Sequence, residues 1–405
     1  MSDRSVRRAI CSRRHYILVL LGLVLVCIVL QTLVARQTSN DKVPGVNFFP
    51  FALYKPHSFS LHSILGKFSS NSALNDLNPT TLYTTEAFST AGVTNHRFSE
   101  FHIICNHMRF KKSEVAKVMP RDTFYFSILR NPVSMMESIF IYYKSIQAFN
   151  GKRTLDEFLN SSWTQYNSSV VNNHYAHNIL AFDFGFNNNA TYKSPDLEQQ
   201  VSNAITGIER DFHLILINEY FYESMILLKH SLCWTLEDVA SFKLNSRSDH
   251  TRRSLSSETV DKIKKWNALD WQIYLHFNAT FWRKLDSLMG RRQLEQEVSE
   301  LKAVQTKLAE VCLKEKGAVD PSKIKDAALK PFQYGAAVIQ GYILNSDMDN
   351  RTREMCEGLI RPELQYTQRL YISQFQEGHK HLIKRRFIYF KAPQSARGPH
   401  NATAP

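Results

Sequence analysis

The stretch from Thr123 to Tyr143 constrains the fold of this chain more than any other. Phe124 to Leu129 is an apolar, aromatic run of strand length. It breaks at Arg130-Asn131-Pro132 and resumes with apolar residues at helical spacing, which predicts strand, turn, helix. Proline supplies the φ of a first helical turn and lacks the N–H that would be orphaned there, so Pro132 is expected at the first helical position with Asn131 as cap. Arg130 is then left at the carboxyl end of a strand, where open α/β sheets bind ligands. Ser138 lies two turns into the helix. A permanently charged planar fork with a hydroxyl nearby suits a phosphate monoester.

Other segments repeat the pattern. Phe101 to Cys105 reads as a short buried strand that delivers Asn106, His107 and Arg109 at its end. Phe212 to Glu219 reads as another strand. The helix after it turns Phe221, Met225, Leu228 and Leu232 inward, with Glu219 and Glu223 near its positive end. Strands alternating with helices imply a largely parallel sheet covered on both faces. Leu244 to Ser248 is a polar loop, and Ser256, Ser257 and Glu258 mark the start of a helix that runs into Trp266–Tyr274. Leu294, Val298, Leu301, Val304, Leu308 and Val311 recur at helical spacing, over too few heptads for a coiled coil, and predict a helix laid along the domain. A further helix is expected over Arg361 to Phe375. Gln37 to Phe98 shows no long periodic element, is punctuated by Pro44, Pro50, Pro56 and Pro79, and reads in part as a stem.

Tyr16 to Ala35 is almost unbroken Leu, Val and Ile, long enough at about 1.5 Å per residue to span a hydrocarbon core. Arg4, Arg7, Arg8, Arg13 and Arg14 precede it, so the amino terminus is expected in the cytoplasm and the rest in the lumen, as a signal anchor rather than a cleaved leader. Lumenal placement makes glycosylation meaningful at the acceptor triplets Asn160, Asn167, Asn189, Asn278, Asn350 and Asn401. Beyond the span lie Cys105, Cys233, Cys312 and Cys356. Four cysteines allow three pairings, the choice stays open, and no spacing among them resembles a zinc site. A net charge of +13 suits an anionic nucleotide and an acidic glycan surface. No nucleic-acid-binding module accompanies that charge, so no nucleic-acid partner is expected. The absence of G-x4-G-K-[ST] argues against a P-loop kinase or NTPase.

Six motifs combine with these features: I-C-N-H-M-R-F, V-M-P-R-D-T-F-Y-F-S-I-L-R-N-P-V, H-Y-A-H-N-I-L-A-F-D-F-G-F, L-N-S-R-S, W-N-A-L-D-W and R-P-E-L-Q-Y. From about Phe101 to Leu382 the chain resembles the galactose 3-O-sulfotransferase family of Golgi type II membrane enzymes. The resemblance implies an α/β, sulfotransferase-type P-loop-like fold with a mostly parallel central sheet flanked by helices, preceded by one transmembrane helix. It implies transfer of a sulfuryl group from 3′-phosphoadenosine 5′-phosphosulfate, with no metal required, to the 3-hydroxyl of terminal β-galactose on glycoproteins or glycolipids. Arg130 and Ser138 would hold the donor's 3′-phosphate. His107 would be the base, as a His in a comparable place serves in the related uronyl 2-O-sulfotransferases. Arg109, Ser246 and Arg247 are further candidates for the cleft.

The chain departs from the family at one place. Members carry, before the equivalent of Phe101, a buried strand leading into K-T-H-K-T-A-S-S, which grips the 5′-phosphosulfate. The nearest echo here is Gly66 to Asn75, where Lys67 would act in catalysis and Ser69 and Ser70 in donor binding. Without that loop the sheet would lack a central strand, and the alternative is a non-catalytic Golgi glycan-binding or partner protein on the same fold. The expected organisation is a cytoplasmic tail at 1–15, the anchor at 16–35, a stem and diverged lumenal start at 36–100, a sulfotransferase-like domain at 101–393 and a disordered tail at 394–405. The acceptor glycan and homo-oligomerisation stay open.

Overall fold

The computed structural model describes residues 46–49, 103–104, 108–248, 254–333, 337–366 and 369. Four strands, β1 (Val46–Phe49), β2 (Ile103–Ile104), β3 (Phe124–Leu129) and β4 (Leu214–Ile217), form one sheet in the order β2-β1-β3-β4. Every neighbouring pair is parallel, with Val46 opposite both Ile103 and Phe124 and Phe126 opposite Leu214. All six residues of β3 and all four of β4 are buried, the continuous apolar run that a sheet covered on both faces requires.

The central position beside β3 belongs to β1, which lies inside the stretch expected to contain stem. Val46-Asn47-Phe48-Phe49 is short and flanked by Pro44 and Pro50, so its apolar character gives no periodic signal of its own. The sheet therefore has its central strand, supplied from earlier in the chain than Gly66 to Asn75.

The helices are α1 (Lys112–Val115), α2 (Pro132–Tyr142), α3 (Leu155–Gln165), α4 (Ile179–Asp183), α5 (Leu197–Asp211), α6 (Phe221–Leu232), α7 (Leu236–Val239), α8 (Ser257–Trp266), α9 (Ala268–Leu288), α10 (Arg291–Cys312) and α11 (Asn350–Ile360). As expected, Pro132 opens α2 and the Asn131 side chain caps it, accepting from the Val133 N–H at 2.9 Å. Ser256 caps α8 in the same way through the Thr259 N–H at 3.1 Å. Leu294, Val298 and Leu301 of α10 face the main core. The end of α10 enters a second, smaller core with Val319, Tyr342, Leu359 and Ile360, fastened by the disulfide Cys312–Cys356. Cys233 is also disulfide-bonded.

In the last segment α11 ends at Ile360, before the helix expected from Arg361. Residues 363–366 are helical, and most of the remaining expected span lies outside the described residues. The Asp349 carboxylate starts α11 by accepting from the Arg351 and Thr352 N–H groups at 2.9 and 3.0 Å. Among the described residues no helix is long and apolar enough to cross a membrane. The span expected at Tyr16–Ala35 lies outside them, as does the tail at 394–405.

Candidate active site

Because the strands are parallel, their carboxyl ends share one edge of the sheet, and the chain leaves that edge at Arg130 after β3 and at Asn218 after β4. Glu219 ties the two exits together. Its carboxylate accepts from the Asn131 N–H at 3.1 and 3.2 Å and from the Tyr274 hydroxyl at 3.3 Å. Burial raises this carboxyl, and the Asn131 hydrogen bond, the Arg130 charge and the Tyr274 hydroxyl work against that rise. The Arg130 Nε donates to the Ser134 Oγ at 2.8 Å, and that hydroxyl donates to the Asn131 carbonyl at 3.2 Å. The start of α2 thus aligns the guanidinium.

A cleft of about 620 Å³ lies at this edge. Ser134, Ser138 and Tyr142, four residues apart on one face of α2, line it together with Arg130. Arg247, Lys264 of α8 and Trp271 of α9 also line it, and the Lys264 Nζ sits 4.9 Å from the centre of the Trp271 ring. The structure therefore brings Arg130, Ser138 and Arg247 together. Arg247 pairs with Glu137 at 2.7 Å, while its Nη1 is buried without a hydrogen-bond partner. Fixed guanidinium groups, hydroxyls, a buried donor awaiting an acceptor and a flat aromatic surface suit a phosphorylated nucleotide.

Other expected residues lie elsewhere. The guanidinium of Arg109 rests 4.5 Å from the Phe182 ring centre and donates to the Phe186 carbonyl at 3.1 Å, so it packs against α4 rather than lining the cleft. Ser246 is buried, and its carbonyl accepts from the Gln340 N–H at 2.9 Å. His107, Lys67, Ser69 and Ser70 lie outside the described residues. Asn160, Asn167, Asn189 and Asn350 are exposed, whereas Asn278 is half-buried on α9; Asn401 lies outside the described residues.

The H-Y-A-H-N-I-L and W-N-A-L-D-W segments form a buried polar lock. The Asp270 carboxylate, fully buried, accepts from the Leu180 and Ala181 N–H groups at 2.9 Å each. The Asn178 N–H donates to the Asn267 Oδ1 at 2.7 Å, and the Asn178 Oδ1 accepts from the Asp270 N–H at 3.2 Å. The Asn178 amide nitrogen donates to the Asn188 and Ala190 carbonyls at 3.0 and 2.7 Å. Burial pushes Asp270 up to about 7, against the two backbone N–H groups, and burial beside Asp270 pushes Asp183 well up against the Arg109 charge. Burial holds His177 down at about 4 despite its contact with the Trp266 carbonyl, and holds His174 at about 4 with help from Arg109. These histidines are neutral packing groups. The lock fixes the first turn of α9, from which Trp271 reaches the cleft.

Sequence reading missed Ser134, Glu137, Glu219, Lys264 and Trp271. The four-residue spacing of Ser134 and Ser138 was a usable signal, but Glu219 drew notice only as a favourable charge at a helix start.

The family model described as galactose-3-O-sulfotransferase matches residues 41–374. Galactose-3-O-sulfotransferase 2 of Sus scrofa is 48% identical over 279 residues, covering 68% of this chain and 69% of that protein. Galactosylceramide sulfotransferase of Homo sapiens is 40% identical over 271 residues, covering 66% and 63%. Galactose-3-O-sulfotransferase 4 of Homo sapiens is 33% identical over 343 residues, covering 68% and 70%.

Proposed function

Since this chain belongs to the galactose-3-O-sulfotransferase family and is a sulfotransferase, we propose that it sulfates the 3-hydroxyl of terminal β-galactose on glycoproteins or glycolipids, drawing on 3′-phosphoadenosine 5′-phosphosulfate. The observation that carries the donor assignment is the convergence of Arg130, Ser138 and Arg247 on one cleft at the carboxyl edge of the sheet, with Nη1 of Arg247 buried and without a hydrogen-bond partner. When bound, the donor supplies the sulfuryl group on a phosphate leaving group.

Arg130 and Arg247 neutralise charge, Ser138 hydrogen-bonds a phosphate oxygen, and Trp271 offers an apolar face for the base. His107 takes the proton from the sugar hydroxyl. The non-catalytic alternative drew on the missing donor loop; the central strand that such a loop would follow is supplied by β1.

We place the protein in the Golgi as a single-pass type II membrane protein, its domain in the lumen. The Cys312–Cys356 disulfide supports an oxidising compartment, and four exposed acceptor asparagines are compatible with glycosylation. Glycosidase treatment of the cell-made protein should increase its gel mobility; an unchanged band would count against that placement.

The test of function is incubation of the full chain with labelled donor and galactose-terminated acceptors, with linkage analysis of the product. Label on the galactose 3-hydroxyl is expected. Transfer to another position or to another sugar would refute the assignment.

A further inference from the structure

The donor reading leaves one carboxylate unexplained. Glu137 lines the cleft that is to receive a multiply charged anion, where a negative side chain repels the ligand. Both its oxygens accept from Nη2 of Arg247, at 2.8 and 2.7 Å, and the two side chains are only 12% and 10% exposed. The backbone of Arg247 is held independently. It forms an antiparallel bridge with Ile339, flanked by Ser248 N–H to Val338 carbonyl at 3.1 Å and Gln340 N–H to Ser246 carbonyl at 2.9 Å.

A guanidinium anchored through its backbone and through one terminal nitrogen has little freedom left, so the other terminal nitrogen keeps a set position. That nitrogen, Nη1, is the buried donor without a partner. Leaving it so costs free energy that a bound anionic oxygen would recover.

We infer that Glu137 is a positioning residue: it presents Nη1 of Arg247 to the donor's 3′-phosphate, alongside Arg130 and Ser138, and thereby sets the preference of the cleft for a 3′-phosphorylated nucleotide. The inference rests on the donor reading above. A purely structural ion pair would matter equally to every ligand of the cleft, whereas a positioning role acts on one phosphate.

Calorimetric titration of the solubilised full chain with 3′-phosphoadenosine 5′-phosphate and, separately, with adenosine 5′-phosphate distinguishes the two. Glu137→Ala should weaken the first ligand about 10- to 100-fold and the second less than about threefold. In an Arg247→Ala background the same change should cause no further loss of preference, because Glu137 acts through Arg247. Equal weakening of both nucleotides, an unchanged ratio, or additive losses in the double variant would overturn the inference. Glu137→Ala strands a buried cation and can unfold the protein. Glu137→Gln keeps one acceptor oxygen, should lower the ratio about three- to tenfold, and is judged by the same criteria. Wild-type protein that binds neither nucleotide overturns the donor reading itself, a different result from binding with an unaltered ratio.

Discussion

Replacing Asp270 by asparagine should loosen the junction between α4 and α9 that sets the far side of the cleft. The wild-type carboxylate receives two backbone N–H groups at 2.9 Å in a fully buried position. An asparagine accepts with one oxygen and turns an amide nitrogen toward the second donor. One buried N–H and one buried amide group then lose their partners, at about 1–3 kcal/mol each, so the penalty is about 2–6 kcal/mol. That is a large part of a typical stability of about 5–15 kcal/mol.

The penalty carries a pH signature. Burial raises Asp270 from 3.8 to about 7, so the fold favours the protonated acid. The associated stability is complete below the ordinary carboxylate range and is lost as pH rises through about 7. The substituted asparagine does not titrate. In the variant Asp183 loses a like-charged neighbour and falls back toward its ordinary range, which acts in the same direction. His174 and His177 change in both proteins and largely cancel in the difference. Denaturant unfolding of wild type and Asp270→Asn at about pH 4.5 and about pH 7.5 should therefore show the larger gap at the lower pH. A gap that is equal or larger at the higher pH, or below about 0.5 kcal/mol throughout, would refute the reasoning.

Two further outcomes concern segments next to the sheet. His107→Ala should leave nucleotide affinity unchanged and reduce turnover about 10²- to 10⁴-fold, read by labelled transfer; retained turnover would place the base elsewhere. The described part of β1 ends at Phe49, paired with Ser127 of β3, and the first basic residue after it in the sequence is Lys55. Lys55→Ala should therefore weaken nucleotide binding more than Lys67→Ala, and the reverse order in a titration would return the donor-gripping role to Gly66–Asn75.

The legible parts of the sequence were those where local chemistry and tertiary demand coincide. Phe124 to Tyr142 contains a buried strand, a capping Asn and a first-turn Pro, and each signals the same element. β4, α8 and the inward face of α10 were readable for the same reason. β1 was not: a four-residue strand between prolines owes its place to pairing on both sides, which no local pattern reports. Glu137 carries no local signal, because its meaning depends on Arg247, distant in the chain. Arg109 points the opposite lesson, since its place at the end of an expected strand made it a candidate for the cleft while the fold spends the side chain on Phe182 and the Phe186 carbonyl. The H-Y-A-H-N and W-N-A-L-D segments carried the resemblance, yet their polar atoms chiefly satisfy one another inside the domain.

The central claim is that Arg130 at the end of β3 holds the phosphate of a nucleotide donor. Titration of the full chain with 3′-phosphoadenosine 5′-phosphate, wild type against Arg130→Ala, tests it most directly. Loss of a charge-assisted contact worth about 1.5–3 kcal/mol predicts roughly a 10- to 150-fold weaker Kd in a protein that still unfolds cooperatively. Equal affinity in the two proteins would contradict the account.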